Sequence, residues 1–284
     1  MKVKPSRLAI AGAMASISIS NLQAQDFSES LASGAASADS GGQVDELAKK
    51  LANPIADLVS FPIQANYDEN YGADDGGSVW RINVQPVIPI QINEDWNVIS
   101  RTIVPVIDQS GFSDPNQNKS GIGDTVQSLF FSPREKVGDW ILGGGPVFLL
   151  PTASNDVLGS ERWGIGPTGI ALKQFGPWTV GGLANHIWSF AGNEDRNTVN
   201  ATFLQPFINY ILPSKTTLYL NSESTYDWNS STWSAPINFG ANQMLKIAGQ
   251  PLQVGIGGRY WLDSPRNGPE GWGLRINFIM LFPK

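Results

Sequence analysis

The feature that most constrains this chain is a period of two in its apolar residues, which begins near residue 58 and continues to the C-terminus. Alternate side chains of a β-strand point to opposite faces of the sheet. In the last such stretch, Leu274, Ile276 and Phe278 are separated by Arg275 and Asn277. A strand of this kind has one apolar and one polar face, so the sequence predicts an all-β fold.

Twelve segments carry this strand signal, and the connections between them alternate in kind. Short turns alternate with mostly longer loops rich in Asp, Asn, Ser and Gly. An even number of antiparallel strands with this loop pattern is typical of a transmembrane β-barrel of the outer membrane. The predicted strands are 58–68, 78–91, 95–107, 121–133, 139–151, 161–173, 177–190, 198–212, 215–228, 232–246, 250–263 and 270–282. Alternation is weak in 95–107, 121–133 and 139–151, and their facing stays open.

The positions of the ten tryptophans favour a membrane barrel. Seven fall near the loop-side ends of the predicted strands, and Trp96, Trp140 and Trp178 fall near the turn-side ends. An indole ring is apolar with one polar N–H, so it suits the two membrane interfaces. A soluble β-sandwich, solenoid or lectin is the alternative, but a sandwich would place tryptophan in its core.

The N-terminal region is predicted to be an export signal followed by a short linking segment. Lys2, Lys4 and Arg7 precede an apolar run at 8–19, which is the pattern of a secretory signal peptide over residues 1–24. Residues 25–57 are predicted to form a periplasmic segment with a short helix at 44–52, and residues 58–284 the barrel. The sequence leaves open whether the periplasmic segment plugs the barrel.

Composition excludes several functional classes. The chain has no Cys and one His, so disulfides, zinc–thiolate sites and iron–sulfur clusters are excluded. Its net charge of −6 argues against nucleic acid as a partner. Asp68, Glu69, Asp74 and Asp75 lack the spacing of a calcium loop and are interpreted as a solvated acidic loop. We expect no metal and no cofactor.

Polar residues at inward positions of the predicted strands are the candidate site. Arginine or lysine on the lipid face costs about 2–4 kcal/mol at the bilayer midplane, so charged side chains should face the lumen. The candidate lumen and solute-binding residues are Arg81, Asn83, Gln85, Arg101, Glu223, Asp227, Arg259, Arg275 and Asn277. Arg81, Arg259 and Arg275 are expected to share a wall with Glu223. Two interpretations stay open, a charged constriction that selects solutes and a ladder of ion pairs that fills a narrow barrel.

An enzymatic role is disfavoured by the environment of the single histidine. A nucleophilic site at His186 would need a nucleophile and an orienting group on the same face of the strand. Asn185 and Ser189 stand at odd spacing from His186, so they point to the opposite face. We predict no catalytic residue and regard an outer-membrane hydrolase as the less favoured alternative.

Several short motifs occur in the order found in one group of outer-membrane proteins. They are Gly121-Ile-Gly-Asp124, Gly143-Gly-Gly-Pro146 with Leu150-Pro-Thr152, Ile165-Gly-Pro-Thr168, His186-Ile-Trp-Ser-Phe-Ala-Gly192 and Gln205-Pro-Phe-Ile-Asn-Tyr210. In these motifs the chain resembles the MetA-pathway-of-phenol-degradation family of outer-membrane barrel transporters. One departure is the C-terminus, where Phe282 is followed by Pro283-Lys284 instead of ending the chain.

The resemblance implies a Gram-negative outer-membrane location and passive passage of small molecules, with aromatic or hydrophobic compounds as the expected class. It supplies no catalytic residues. The expected partners are outer-membrane lipid and lipopolysaccharide, the barrel-assembly machinery and a small-molecule solute. A structural or surface-interaction barrel with a sealed lumen is the alternative, and it predicts no conductance.

The parity argument generates a first test. Arg259→Ala and Arg275→Ala should change the ion selectivity of the barrel and leave its assembly intact, because the argument places both cations in the lumen. The measurement is the reversal potential in a salt gradient. Selectivity that stays unchanged in both variants would remove these residues from the constriction.

Overall fold

The computed structural model describes residues 46–283. Within this range the backbone forms fifteen strand segments. They are β1 (Val59–Tyr71), β2 (Gly77–Val84), β3 (Val87–Gln91), β4 (Trp96–Ser110), β5 (Ser120–Ile122), β6 (Thr125–Pro133), β7 (Trp140–Leu150), β8 (Arg162–Phe175), β9 (Trp178–Gly192), β10 (Asn200–Ile211), β11 (Thr216–Ser222), β12 (Ser224–Asp227), β13 (Thr232–Ile247), β14 (Gln250–Asp263) and β15 (Gly271–Phe282). Two short 3₁₀ turns, Pro115–Gln117 and Asp156–Leu158, lie in loops.

The segments close into one antiparallel barrel. β2 with β3, β5 with β6 and β11 with β12 each continue one barrel strand, which gives twelve strands in all. Each strand pairs with its sequence neighbours, and β15 pairs back onto β1 from Val59↔Phe282 to Asp68↔Gly273. The predicted twelve-stranded barrel is therefore confirmed, with strand boundaries within about three residues of those observed.

The three interrupted strands have a common cause. Gln85 lies opposite Pro62, and Gly123 lies opposite Pro105, in the registers of the flanking pairs. Glu223 lies opposite Pro236, between the pairs Ser222↔Ile237 and Thr225↔Ser234. Proline has no N–H and cannot donate a hydrogen bond to the ladder. The regular pairing therefore lapses where each proline stands.

The outer face of the barrel is apolar between two bands of aromatic side chains. Large exposed side chains such as Leu220, Ile256 and Leu262 point outward. At the loop-side end Trp228 packs edge-on against Tyr226 at 4.9 Å. A solvent-exposed surface of this kind is unfavourable in water, so it fits a bilayer. No helix of residues 46–283 is long and apolar enough to span a membrane.

The inner face is divided into an apolar half and a polar half. The apolar half is a cluster contributed mainly by β3, β4, β6, β8, β9 and β10. Its buried members are Ile55, Val87, Ile99, Phe130, Ile170, Leu172, Leu183 and Phe207. The inward positions of β1, β2, β11, β13, β14 and β15 are mostly polar, and they hold most of the charged residues described below. The lumen is therefore amphipathic around its circumference.

Residues 46–58, the plug segment, lie inside the turn-side end of the barrel. Residues 46–51 are helical. Ala48, Ala56 and Leu58 pack against inward side chains of β10, β13 and β15, and Ile55 packs into the apolar half of the inner face. The predicted signal peptide lies outside the described residues, as does most of the predicted periplasmic segment.

The loop-side end is narrowed by the loop at 151–161. Leu158 of this loop is buried against Val79 and Ile107, both inward-facing. Asp124 holds the end of the loop, because its Oδ2 accepts hydrogen bonds of 2.6 Å from both the backbone N–H and the hydroxyl of Ser160. Both ends of the lumen are thus partly covered by chain that is not part of the wall.

Inward glycines leave space for the polar side chains. We therefore expect Gly→Ala substitutions to reduce stability where that space is used and not elsewhere. A Cβ at Gly257 would overlap Tyr219 Oη and Phe239 O, whereas the atom nearest to a Cβ at Gly182 is 3.9 Å away. Gly257→Ala should therefore lower the free energy of unfolding by about 1–3 kcal/mol through overpacking.

Gly182→Ala is the matched control, since it also adds one methyl group to a strand glycine, and it should leave the free energy of unfolding nearly unchanged. Both values can be measured by urea titration of the barrel folded into lipid vesicles. Equal free energies of unfolding for the two variants would contradict the close contact at Gly257.

Candidate functional site: the barrel lumen

The central contact of the lumen is an ion pair between Arg275 and Glu223. Arg275 Nη1 and Nη2 donate to Glu223 Oε1 and Oε2 at 3.0 and 2.6 Å, and Nε donates to Asn66 Oδ1 at 2.7 Å. The Arg275 side chain is only 1% exposed and that of Glu223 is 17% exposed. This two-pronged geometry is the strong form of the arginine–carboxylate contact.

The pair lies over two wall strands, β13 and β14, which separate Glu223 from β15. The inward positions there are occupied by Gly240 and Gly257, which pair with each other. A Cβ at either glycine would run into Tyr219 Oη. Glycine at these two positions therefore lets long side chains from the flanking strands meet over the sheet.

A second ion pair lies toward the loop-side end. Arg259 Nε is 3.3 Å from Asp68 Oδ1, and both side chains are almost fully buried. Trp261 Nε1 also donates to Asp68 Oδ1 at 2.8 Å, and the Arg259 guanidinium stacks over the Trp261 ring at 4.6 Å. Asp68 therefore holds a cation and an indole N–H together on one wall.

Carboxamide side chains continue the polar wall toward the turn-side end. Asn277 Nδ2 donates to Asn242 Oδ1 at 3.0 Å and lies 3.5 Å from Tyr219 Oη. Asn238 Nδ2 donates to Asn221 Oδ1 at 2.9 Å. Asn221, Asn242 and Asn277 line a cavity of about 160 Å³ that Leu51 and Ala52 of the plug segment also line.

Two predicted lumen arginines are outside these ion pairs. Arg101 Nη2 donates to Gln85 Oε1 at 2.9 Å, and Gln85 Nε2 donates to Gln64 Oε1 at 3.4 Å. Arg81 and Asn83 lie on the adjacent part of β2, at inward positions opposite Asn66 and Gln64. Arg81 and Arg101 form no ion pair with a carboxylate of residues 46–283.

Asp227 has a different role from the other predicted lumen residues. It ends β12, and its Oδ1 accepts a hydrogen bond from the backbone N–H of Asn229 at 2.9 Å. Its Oδ2 accepts from the hydroxyl of Ser230 at 2.8 Å. The carboxylate is therefore used to shape the β12–β13 turn at the loop-side rim.

Most of the predicted site residues lie in two groups along the lumen. Arg275, Glu223 and Asn277 form the central network, with Arg259 beside them, and Arg101 with Gln85 stands nearer the plug segment. We expected Arg81, Arg259 and Arg275 to share a wall with Glu223, and of these three Arg275 pairs directly with the Glu223 carboxylate. Arg259 pairs with Asp68, a residue that the sequence argument assigned to the first outer loop.

Asp68 and Trp261 were missed as lumen residues for different reasons. β1 extends to Tyr71, three residues beyond the predicted end, and Asp68 keeps the inward parity of Asn66. Trp261 has the inward parity of Arg259, but its position near a strand end favoured the outer girdle. In both cases the alternation of side chains along the strand indicates that the residue faces the lumen.

His186 lies on the outer face within the loop-side aromatic band. Its Nδ1 is 2.7 Å from Thr202 Oγ1, its ring stacks on Trp188 at 4.1 Å, and Trp228 Nε1 donates to the same Thr202 hydroxyl at 2.8 Å. Ser189 accepts a hydrogen bond from Val199 N and has the opposite parity. These contacts are typical of an interface side chain.

The middle of the lumen has a positive charge balance. Of residues 46–283, the charged side chains there are Asp68, Arg81, Arg101, Glu223, Arg259 and Arg275. The four arginines outnumber the two carboxylates by two, although the whole chain carries a net charge of −6. Low-dielectric walls focus such a field on the pore axis, so we expect the lumen to attract anions more than cations.

Comparisons with known proteins give a fold but no family. No protein-family model matches the chain, and no curated protein is significantly similar to it. Among solved structures, an outer-membrane channel from Pseudomonas putida F1 superposes with a TM-score of 0.60 at 17% identity, covering 79% of this chain and 95% of that one.

Two further structures are more distant. Outer-membrane phospholipase A from Escherichia coli gives a TM-score of 0.45 at 13% identity, covering 85% of this chain and 98% of that one. The translocator domain of the autotransporter NalP from Neisseria meningitidis gives 0.43 at 14% identity, covering 88% and 96%. The superposition with the Pseudomonas channel confirms the resemblance to outer-membrane barrels at the level of fold, and this fold supports the predicted outer-membrane location.

Burial changes the expected result of removing Arg275. Arg275→Ala leaves the Glu223 carboxylate buried without a cation, which typically costs about 3–5 kcal/mol. We expect this loss in the free energy of unfolding, and not only a change in ion selectivity. It can be measured by urea unfolding in lipid vesicles.

The double variant R275A/E223A removes both charges and is the control. It should be more stable than R275A alone, because no uncompensated charge remains. Free energies that simply add in the double-mutant cycle would show that the two side chains do not act as a pair.

Proposed function

We propose that this protein is a channel for passive passage of small molecules across the outer membrane, and that the plug segment closes its turn-side end. One observation carries the proposal. The turn-side lumen is filled by residues 46–58, which belong to no barrel strand and are held by side-chain packing and a few hydrogen bonds, such as Gln174 Nε2 to Lys49 O at 2.8 Å. A closure of that kind can be displaced while the wall stays intact.

The amphipathic lumen supports aromatic or hydrophobic compounds as the solute class. A solute with an apolar body and one polar group can contact the apolar half and the arginines at the same time. Passage down a gradient needs no energy source, and the sequence has no nucleotide-binding motif in a suitable context. Outer-membrane lipid, lipopolysaccharide and the barrel-assembly machinery are the further partners that we propose.

Two other functions are less well supported. A sealed structural barrel accounts for the ion pairs, but it gives no reason for charges in excess of those that are paired. A hydrolase needs a base and a nucleophile held by an orienting group. His186 contacts Thr202 and Trp188, and no carboxylate hydrogen-bonds to it among residues 46–283. We therefore propose that the protein is not an enzyme.

Single-channel conductance tests the proposal. The protein from residue 25 onward, refolded and inserted into a planar bilayer, should give rare or small openings. The same barrel without residues 25–57 should give frequent discrete openings, because its turn-side end is clear.

Substitutions in the full chain test the same closure without truncation, in case the truncated barrel does not fold. Ile55→Asn places an amide in the apolar cluster and should increase the open fraction. Ile92→Asn is the control, since Ile92 lies in a turn at the same end and is 52% exposed, and its open fraction should equal that of the unmodified chain. No openings from any of these proteins, with the barrels shown to be folded, would contradict a channel and favour the sealed barrel.

A further inference from the structure

A small cavity at the turn-side end of the lumen is lined by Arg101. This space, the Arg101 cavity, has a volume of about 140 Å³ and lies between the plug segment and the inner face of β1, β3, β4 and β15. Arg101, Gln85 and Ser60 contribute polar groups, and Leu51, Leu58 and Val87 contribute apolar walls. The cavity is therefore polar on one side and apolar on the other.

The charge of Arg101 is not balanced inside this cavity. Its described hydrogen bond is the one from Nη2 to Gln85 Oε1, a neutral amide, and it has no ion pair among residues 46–283. Glu223 already receives two hydrogen bonds from Arg275. Lys50, at the edge of the cavity, is paired with Glu46 at 3.0 Å. A half-buried cation without a carboxylate partner is less stable than one that an anion joins.

The guanidinium geometry and the cavity size define the missing anion. Arginine presents a planar fork of N–H donors that matches both oxygens of a carboxylate. An apolar cavity of about 150 Å³ is large enough to hold a benzene ring, and the Arg101 cavity is nearly that size. A compact apolar body against Leu58 and Val87 would leave a carboxylate directed at Arg101.

We propose that the Arg101 cavity binds small organic monocarboxylates with a compact apolar body, of which benzoate is an example. The carboxylate pairs with Arg101, and the body packs between the wall and the plug segment. This inference rests on the proposed function, because the lumen must admit the solute. It adds a binding position and a charge requirement to that function.

Equilibrium dialysis with radiolabelled benzoate tests the site on the protein from residue 25 onward, folded in detergent micelles. We expect saturable binding of one benzoate per barrel, and weaker binding of benzamide, which has the same ring without the charge. Arg101→Gln should weaken benzoate binding about 10- to 100-fold, as expected for the loss of a charge-assisted hydrogen-bonded pair.

Arg134→Gln is the matched control, because it removes the same charge from an exposed position outside the cavity, and it should leave binding within about twofold of the unmodified protein. Arg101→Lys keeps the charge but not the fork, and its affinity should be intermediate. Equal weakening in the Arg134 and Arg101 variants, or equal affinity for benzoate and benzamide, would overturn the proposal. The comparison of benzoate with benzamide uses the unmodified protein, so it does not depend on whether a variant folds.

The outcome separates this site from the proposed channel. Conductance in the truncated barrel without benzoate binding would overturn the Arg101 site and leave the channel in place. Benzoate binding that depends on Arg101, together with no openings from any folded variant, would support the site and overturn the channel.

Discussion

Closure of the sheet is the constraint on which the rest of this molecule depends. In a bilayer every backbone N–H and C=O must find a partner within the protein, and the pairing of β15 with β1 removes the last free edge. Once the barrel closes, outward positions meet lipid and must be apolar, while inward positions are released from that requirement. The charged residues in the middle of the strands lie on the inner face for that reason.

The inner face then sets the second level of organisation. Buried arginines and carboxylates are stable only in well-made pairs, and inward glycines at 240 and 257 give Arg275 and Glu223 the room to meet. The remaining half of the inner face is apolar, and it is covered by Ile55 of the plug segment. The polar half needs paired charges and the apolar half needs close packing, and the two lie on opposite parts of the barrel circumference.

The strand number and most strand boundaries were predictable, because lipid enforces a strict apolar parity on the outer face. The weak alternation at 95–107, 121–133 and 139–151 has a physical reason, since Ile99, Phe130 and Val147 are apolar on the inner face as well. The partner of Arg259 was missed although the parity of β1 places Asp68 inward, because the predicted strand ended at Asp68 and the acidic residues that follow favoured a loop. Nor was the position of residues 46–58, since packing inside a barrel depends on contacts that are distant in sequence.

The central claim is that the chain places its own N-terminal segment inside the lumen. It is tested most directly by cysteine labelling, because the chain has no cysteine of its own. A single cysteine at position 55 should resist a water-soluble maleimide in the folded barrel and react only after unfolding, whereas a cysteine at position 92 should react at once. Equally fast labelling at the two positions in the folded protein would contradict the account.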